Sequence, residues 1–191
     1  GNVIKELLMS ASEATHKNGM KVILHGINVE YLKKALESGV DVLGHIGMVD
    51  DDCFQIMRLR KTALVSSLSP IIPFAKMDCE FLGISREKQQ KVALVLDEII
   101  DTIKKAFENG IMVGIGSDAG TYYSTHYGMW RELEYFKRYY NVSPEFALYI
   151  ATLRNAEIAG IEKETGSIEE GKSADFIVTN GNPLDDFKTL S

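Results

Sequence analysis

The stretch "IMVGIGSDAGTYYSTHYG" (residues 111–128) decides the fold, because it supports two incompatible readings. Gly114, Gly116 and Ala119 fit G-x-G-x-x-A after an apolar strand, a phrase that can cradle the pyrophosphate of a dinucleotide. The same residues put Asp118 just past the end of a buried strand, where a barrel enzyme keeps its catalytic groups. A dinucleotide loop must open a helix, since the pyrophosphate rests on that helix's N-terminal amides. "TYYSTHYG" (121–128) is β-branched, aromatic and glycine-terminated, so the pattern predicts no helix until about Met129. Glu134, the acidic residue twenty positions past Gly114, falls inside "MWRELEYFKRYY" rather than at a strand end. The nucleotide reading therefore lacks its context.

Working outward from this strand, the preceding chain repeats one grammar. A first helix runs through "NVIKELLMSASEATHK" and stops at Asn18-Gly19, a favourable left-handed cap. "MKVILHG" is apolar, β-branched and too short for a helix, which predicts a buried strand ending near His25. Asn28 can cap the next helix, with Val29, Leu32 and Leu36 facing inward and Gly39 as its stop. "VDVLGH" is a second strand closing at His45, and the acidic run 50–52 suits the positive end of another helix. "TALVSSLSP" is a third strand that must stop by Pro70. From about Ser85 to Asn109, Val92, Leu96, Ile99, Ile103 and Phe107 keep three-four spacing, a long amphipathic helix ended by Gly110. "IMVGIGSD" is the fourth strand. Alternating helices and nearly continuous apolar strands predict an α/β fold with a parallel sheet through about residue 160. Beyond it, "TGSIEEGKSADFIVTNGNPLDDF" predicts strands at 166–168 and 175–178 at the edge of a small β layer.

The 191 residues are 45% apolar and 25% charged, a globular mixture able to bury a core. A net charge of -6 argues against nucleic acid, whose polyanionic backbone requires clustered cations. The expected partner is a small molecule. No apolar run reaches membrane-spanning length and the start lacks signal-peptide features, so no membrane association and a cytoplasmic location are expected. Cys53 and Cys79 form neither C-x-x-C nor a disulfide framework, which fits a reduced compartment.

Three residues share a position in this grammar. His25, His45 and Asp118 each stand at the C-terminal end of a predicted strand, and in a parallel sheet those ends face one rim. Two neutral imidazoles and a carboxylate suit zinc or a similar divalent ion. Singly, a histidine there is more often a hydrogen-bonded structural residue, and an Asp in Ser-Asp-Ala-Gly a turn former. Together they favour a metal, because the alternative needs the coincidence three times. His16, beside a helix end, reads as structural. Tyr122, Tyr123 and Trp130 fit either a pocket wall or packing.

At these residues the chain resembles a known group. "VILHGINVEYLKKALESGVDVLGHIG", "VGIGSDAG" and "ATLRNAEIAGIEKETGSIEEGKSADFIVTNGNPLDDF" together resemble the second half of the amidohydrolase superfamily, in its imidazolonepropionase-like and prolidase-like branch, from about residue 20 to the C-terminus. The resemblance implies a partial (β/α)8 TIM barrel, with the family's strands five to eight over residues 1–160. Residues 161–191 would return to a small β-sandwich domain. It implies that His25, His45 and Asp118 bind metal, and that Asp118 also shuttles the proton when metal-activated water attacks an amide, cyclic amide or dipeptide. His126, in "STHYG", matches a position that related sequences often give to a histidine near the substrate. The implied cofactor is a divalent metal, zinc first, with one or two ions in a complete enzyme and at most one here.

The chain departs from the family at two places. The family's H-x-H at the end of strand one is missing, no H-x-H existing anywhere in the chain, and so is the Lys or other bridging residue at the end of strand four. A full barrel takes roughly 250 residues. The sequence also starts without Met, in what reads as a helix already under way. The expectation is half a barrel: a truncated gene product, an expressed segment or a proteolytic remnant. Its raw strand edges should drive homo-oligomerisation or association with the missing N-terminal half. The alternative function is a catalytically inactive fragment serving as a metal-binding or oligomerising module.

Overall fold

The computed structural model describes residues 2–26 and 29–191, and the side chains of residues 2–4, 29 and 30 are left aside. The expected cap at Asn28 and the inward side chain of Val29 lie outside the described residues. Helix α1 (Asn2–Lys17) ends where Gly19 turns to φ +70°. Then follow β1 (Ile23–His25), α2 (Val29–Glu37), β2 (Val42–Gly44), α3 (Asp51–Arg60) and β3 (Ala63–Ser66). Two short helices, α4 (Ile72–Lys76) and α5 (Cys79–Leu82), lead to the long α6 (Arg86–Glu108), then β4 (Val113–Ile115). Helices α7 (Met129–Tyr140), α8 (Pro144–Tyr149) and α9 (Asn155–Ala159) close the α/β part, a wide helical turn over Ile150–Arg154 joining the last two.

The local reasons are those of the sequence. Asp50 accepts from Cys53 N to cap α3, and Ser85 accepts from Lys88 N to cap α6. Leu96, Ile99 and Ile103 are buried on the inner stripe of α6, while Val92 and Phe107 are half-buried toward its ends.

The four strands form one sheet in the order β1-β2-β3-β4, every pair parallel. Register fixes the two faces. Leu24, Leu43, Leu64 and Val113 form one row and pack on the helices in the main core. On the other face lie two rows, Ile23, Val42 and Ala63, then His25, Gly44, Val65 and Gly114. Ile158 of α9 packs against Val42 and Ala63, filling the bottom of the concave side. Lys21, just before β1, donates to the carbonyls of Glu157 and Ile158 at 3.0 and 2.6 Å, so α9 is tied to both margins of the sheet.

Two expectations need correction. No strand forms in 166–168 or 175–178 among the described residues; Ile168, Phe176, Ile177 and Val178 stand exposed. A strand needs a ladder of paired amides and carbonyls, and here the two segments are joined only at their flanks, by Ser173 N donating to Glu164 O at 2.8 Å and Thr165 Oγ1 donating to Asp175 Oδ2 at 3.3 Å. The chain instead returns by burying Phe187 against α7, with Lys137 Nζ 5.9 Å above its ring. The edge of β4 is also less raw than expected. The Asn155 carboxamide accepts from Ile115 N at 3.0 Å and donates to Ile115 O at 2.8 Å, taking the place of a neighbouring strand at that residue. Among the described residues no helix is long and apolar enough to cross a membrane.

Candidate active site

The C-terminal ends of the strands open onto a concavity of about 910 Å³, whose wall includes His25, His45, Ser67 and Asp118, with Ile158 and Gly160 from the region of α9. His25 ends β1 on the concave face. His45 follows β2 at φ 52° and Asp118 follows β4 at φ 49°. Left-handed backbone is uncommon for residues with a Cβ and is held only where the surroundings impose it. Here it turns both side chains from the strand direction toward the mouth of the concavity.

Of the three side chains predicted to act together, His45 lies beside each of the other two. The rings of His25 and His45 have centroids 4.6 Å apart at a 43° tilt. His45 Nε2 lies 3.5 Å from Asp118 Oδ2, with the two side chains 18% and 37% exposed. Two donors on one tetrahedral ion with bonds of about 2.1 Å would sit roughly 3.4 Å apart. The histidine-carboxylate separation thus suits a shared cation better than a short direct hydrogen bond. The donor types, two imidazoles and a carboxylate, are those a divalent ion takes, but among the described residues no three His, Cys, Asp or Glu side chains stand close enough together to hold one as placed.

The glycines that suggested a phosphate loop have packing roles. A Cβ on Gly114 would lie 2.6 Å from Ile158 Cδ1 and 2.7 Å from Asn155 Oδ1, and one on Gly116 would lie 3.4 Å from Ser67 Oγ. Gly114 and Gly116 therefore let α9 and β3 approach the floor of the concavity. The following loop is knotted on itself: Asp118 O accepts from Thr121 Oγ1 at 2.9 Å, Gly120 N donates to Ser124 O at 3.0 Å, and Ser124 Oγ donates to Ser117 O. No α-helix opens until α7, so the amides needed for a pyrophosphate are absent at this turn.

His16 is structural. Its Nε2 lies 2.7 Å from Asp41 Oδ2, and the same oxygen accepts from Val22 N, binding α1 to the segments before β1 and β2. His126 sits on an exposed single turn before α7 and is not among the residues lining the concavity. Tyr122 and Tyr123 are exposed and Trp130 is half-buried.

Glu132 and Asn155 escaped the sequence reading. Glu132 is wholly buried, and its carboxylate accepts from the backbone amides of Leu68 and Ser69 at the end of β3. Burial pushes its pKa up to about 7, against the opposing effect of those hydrogen bonds, and the charge of Asp118 pushes the same way as burial.

Comparison with known proteins agrees with this architecture. The family model of the amidohydrolase family matches residues 2–191. A protein of Bifidobacterium longum provisionally described as a prolidase is similar in structure, with a TM-score of 0.90 and 35% identity over 97% of this chain and 47% of its own. A Xaa-Pro dipeptidase crystallised with methionine in its active site gives a TM-score of 0.79 and 30% identity, covering 97% of this chain and 45% of its own. The imidazolonepropionase of Picrophilus torridus is 36% identical over 136 residues, 71% of this chain and 28% of that protein. The chain spans well under half the length of the curated relatives it matches.

Proposed function

The chain belongs to the amidohydrolase family, and from that premise we propose that it forms part of a hydrolase site acting on the C-N bond of a small amide, cyclic amide or dipeptide. The observation that carries this reading is the 3.5 Å approach of His45 Nε2 to Asp118 Oδ2 beside the ring of His25. Strands β1 to β4 are read as the fifth to eighth strands of a (β/α)8 barrel, with residues 161–191 leading to a separate small β domain.

His25 and His45 would hold a divalent metal, zinc first, through neutral ring nitrogens, with Asp118 as the third donor. When bound, such an ion supplies Lewis acidity and brings the pKa of water toward neutrality. Asp118 accepts the proton of the attacking water and returns it to the leaving nitrogen as the C-N bond breaks. Its left-handed backbone and knotted loop hold the carboxylate at the mouth, so little reorganisation precedes that transfer. His126, on the exposed turn before α7, is a candidate substrate contact.

The dipeptide Met-Pro is the probe, chosen from the Xaa-Pro dipeptidase likeness. The test measures its zinc-dependent hydrolysis by this chain alone and by this chain mixed with a polypeptide supplying the other four barrel strands of the Bifidobacterium relative. The expected result is hydrolysis by the mixture that Asp118→Asn abolishes. An assembled complex that cleaves no faster than the Asn variant would count against the reading.

A further inference from the structure

Glu132 makes a contact that needs a carboxylate. Leu68 N donates to its Oε2 at 3.1 Å and Ser69 N to its Oε1, so two successive backbone donors each meet an oxygen. An ionised carboxylate accepts strongly from both, whereas a carboxamide sets its NH2 against one of the amides and a protonated acid accepts more weakly at its hydroxyl oxygen. The side chain is 0% exposed, a costly place for a charge that serves no purpose.

The two amides follow directly on Ser67. That residue is 7% exposed and lines the concavity that holds His25, His45 and Asp118. Its Oγ stands 3.4 Å from the place of a Cβ on Gly116, two residues before Asp118 in the chain. Its neighbour Ser66 faces the opposite way and bonds to Tyr140 OH at 3.0 Å. Ser67 Oγ makes no hydrogen bond among the described residues and is not one of the buried unpartnered atoms, so its hydroxyl is open to the concavity that Ser67 lines.

We propose that Ser67 is a substrate-binding hydroxyl, donating to a carbonyl or carboxylate oxygen of the bound amide, and that Glu132 is the positioning residue that holds it there. The substrate half of this inference rests on the hydrolase reading; the positioning half does not. The ionisable groups facing Glu132 are Asp118 from the loop after β4, and Tyr135 and Tyr140 on its own helix. Near-neutral titration of Glu132 gives the positioning role a readout: below about pH 7 the acid is mostly protonated and holds the two amides more weakly.

The test is amide exchange followed by NMR on the 191-residue chain and its Glu132→Gln and Ser67→Ala variants. At pH 8, Glu132→Gln is expected to lower the protection of the Leu68 and Ser69 amides at least tenfold while leaving Leu64 in β3 unchanged. In the unsubstituted chain, protection of those two amides rises through pH 7. Equal protection in the variant overturns the positioning role. If the variant does not fold, flat protection across pH 7 in the parent chain overturns it instead. Met-Pro is then titrated into the zinc-loaded protein. Ser67→Ala is expected to weaken its binding at least fivefold with zinc affinity unchanged, and unchanged Met-Pro affinity overturns the substrate contact. Absence of any Met-Pro effect at His25, His45 or Asp118 counts against both that contact and the hydrolase reading, while the exchange result still judges Glu132 by itself.

Discussion

His45 and Asp118 meet at 3.5 Å although they leave strands β2 and β4, which β3 separates. Adjacent strands lie about 4.8 Å apart, so the two backbones start roughly 10 Å from one another. Left-handed turns at both residues and the concave bend of the sheet close that distance. Asp118→Asn keeps the shape and removes the negative charge from one side. We expect zinc affinity to fall at least tenfold in calorimetric titration while the circular dichroism spectrum is unchanged; equal affinity would mean the ion, if any, sits elsewhere.

Gly114→Ala separates the packing account of the glycines from the phosphate-loop account. The new methyl would meet Ile158 and Asn155 inside normal contact distance. Overpacking of this kind costs about 1–3 kcal/mol. Urea denaturation should show that loss. NADH should fail to bind either protein, and cofactor binding abolished by the substitution would revive the nucleotide reading.

Asn155→Ala strips the carboxamide from the edge of β4, leaving Ile115 N and O without their partners. The uncompensated pair costs roughly 1–3 kcal/mol. A bared edge also invites strand pairing between molecules. Sedimentation velocity should therefore show more self-association in the variant than in the parent, and identical profiles would show that the side chain does not guard the edge.

Burial raises Glu132 from the ordinary carboxyl value of 4.5 to about 7. The sign follows from linkage. Between those values the folded chain keeps a proton that the unfolded chain has released, so this residue lowers stability as pH rises from 4.5 to 7 and adds no further slope above. The span corresponds to an effect on the order of 3 kcal/mol. Glu132→Gln should flatten that part of the stability profile in denaturation measured from pH 4.5 to 8; an unchanged slope would assign it to other groups.

Much of this was legible before any coordinates. Short apolar runs closed by His25, His45 and Asp118 announced strands whose ends share a rim, because parallel pairing leaves no other arrangement. The segment after residue 160 misled for a physical reason: "DFIV" has strand composition, but composition cannot supply the neighbour that a strand requires. Glu132 was invisible because a charge within "MWRELEYFKRYY" reads as solvated surface, and only the packing of α7 beneath β3 buries it. Asn155 was equally silent. Its task depends on α9 folding back beside β4, a relation between residues 40 positions apart.

One cation shared by His25, His45 and Asp118 is the central requirement of the proposed site. Anomalous diffraction from crystals of the chain grown with zinc tests it. A single peak about 2.0–2.2 Å from a nitrogen of each imidazole and an oxygen of the carboxylate is the predicted result. Zinc bound only at other residues, with the two rings and the carboxylate leaving no common position for an ion, would contradict it.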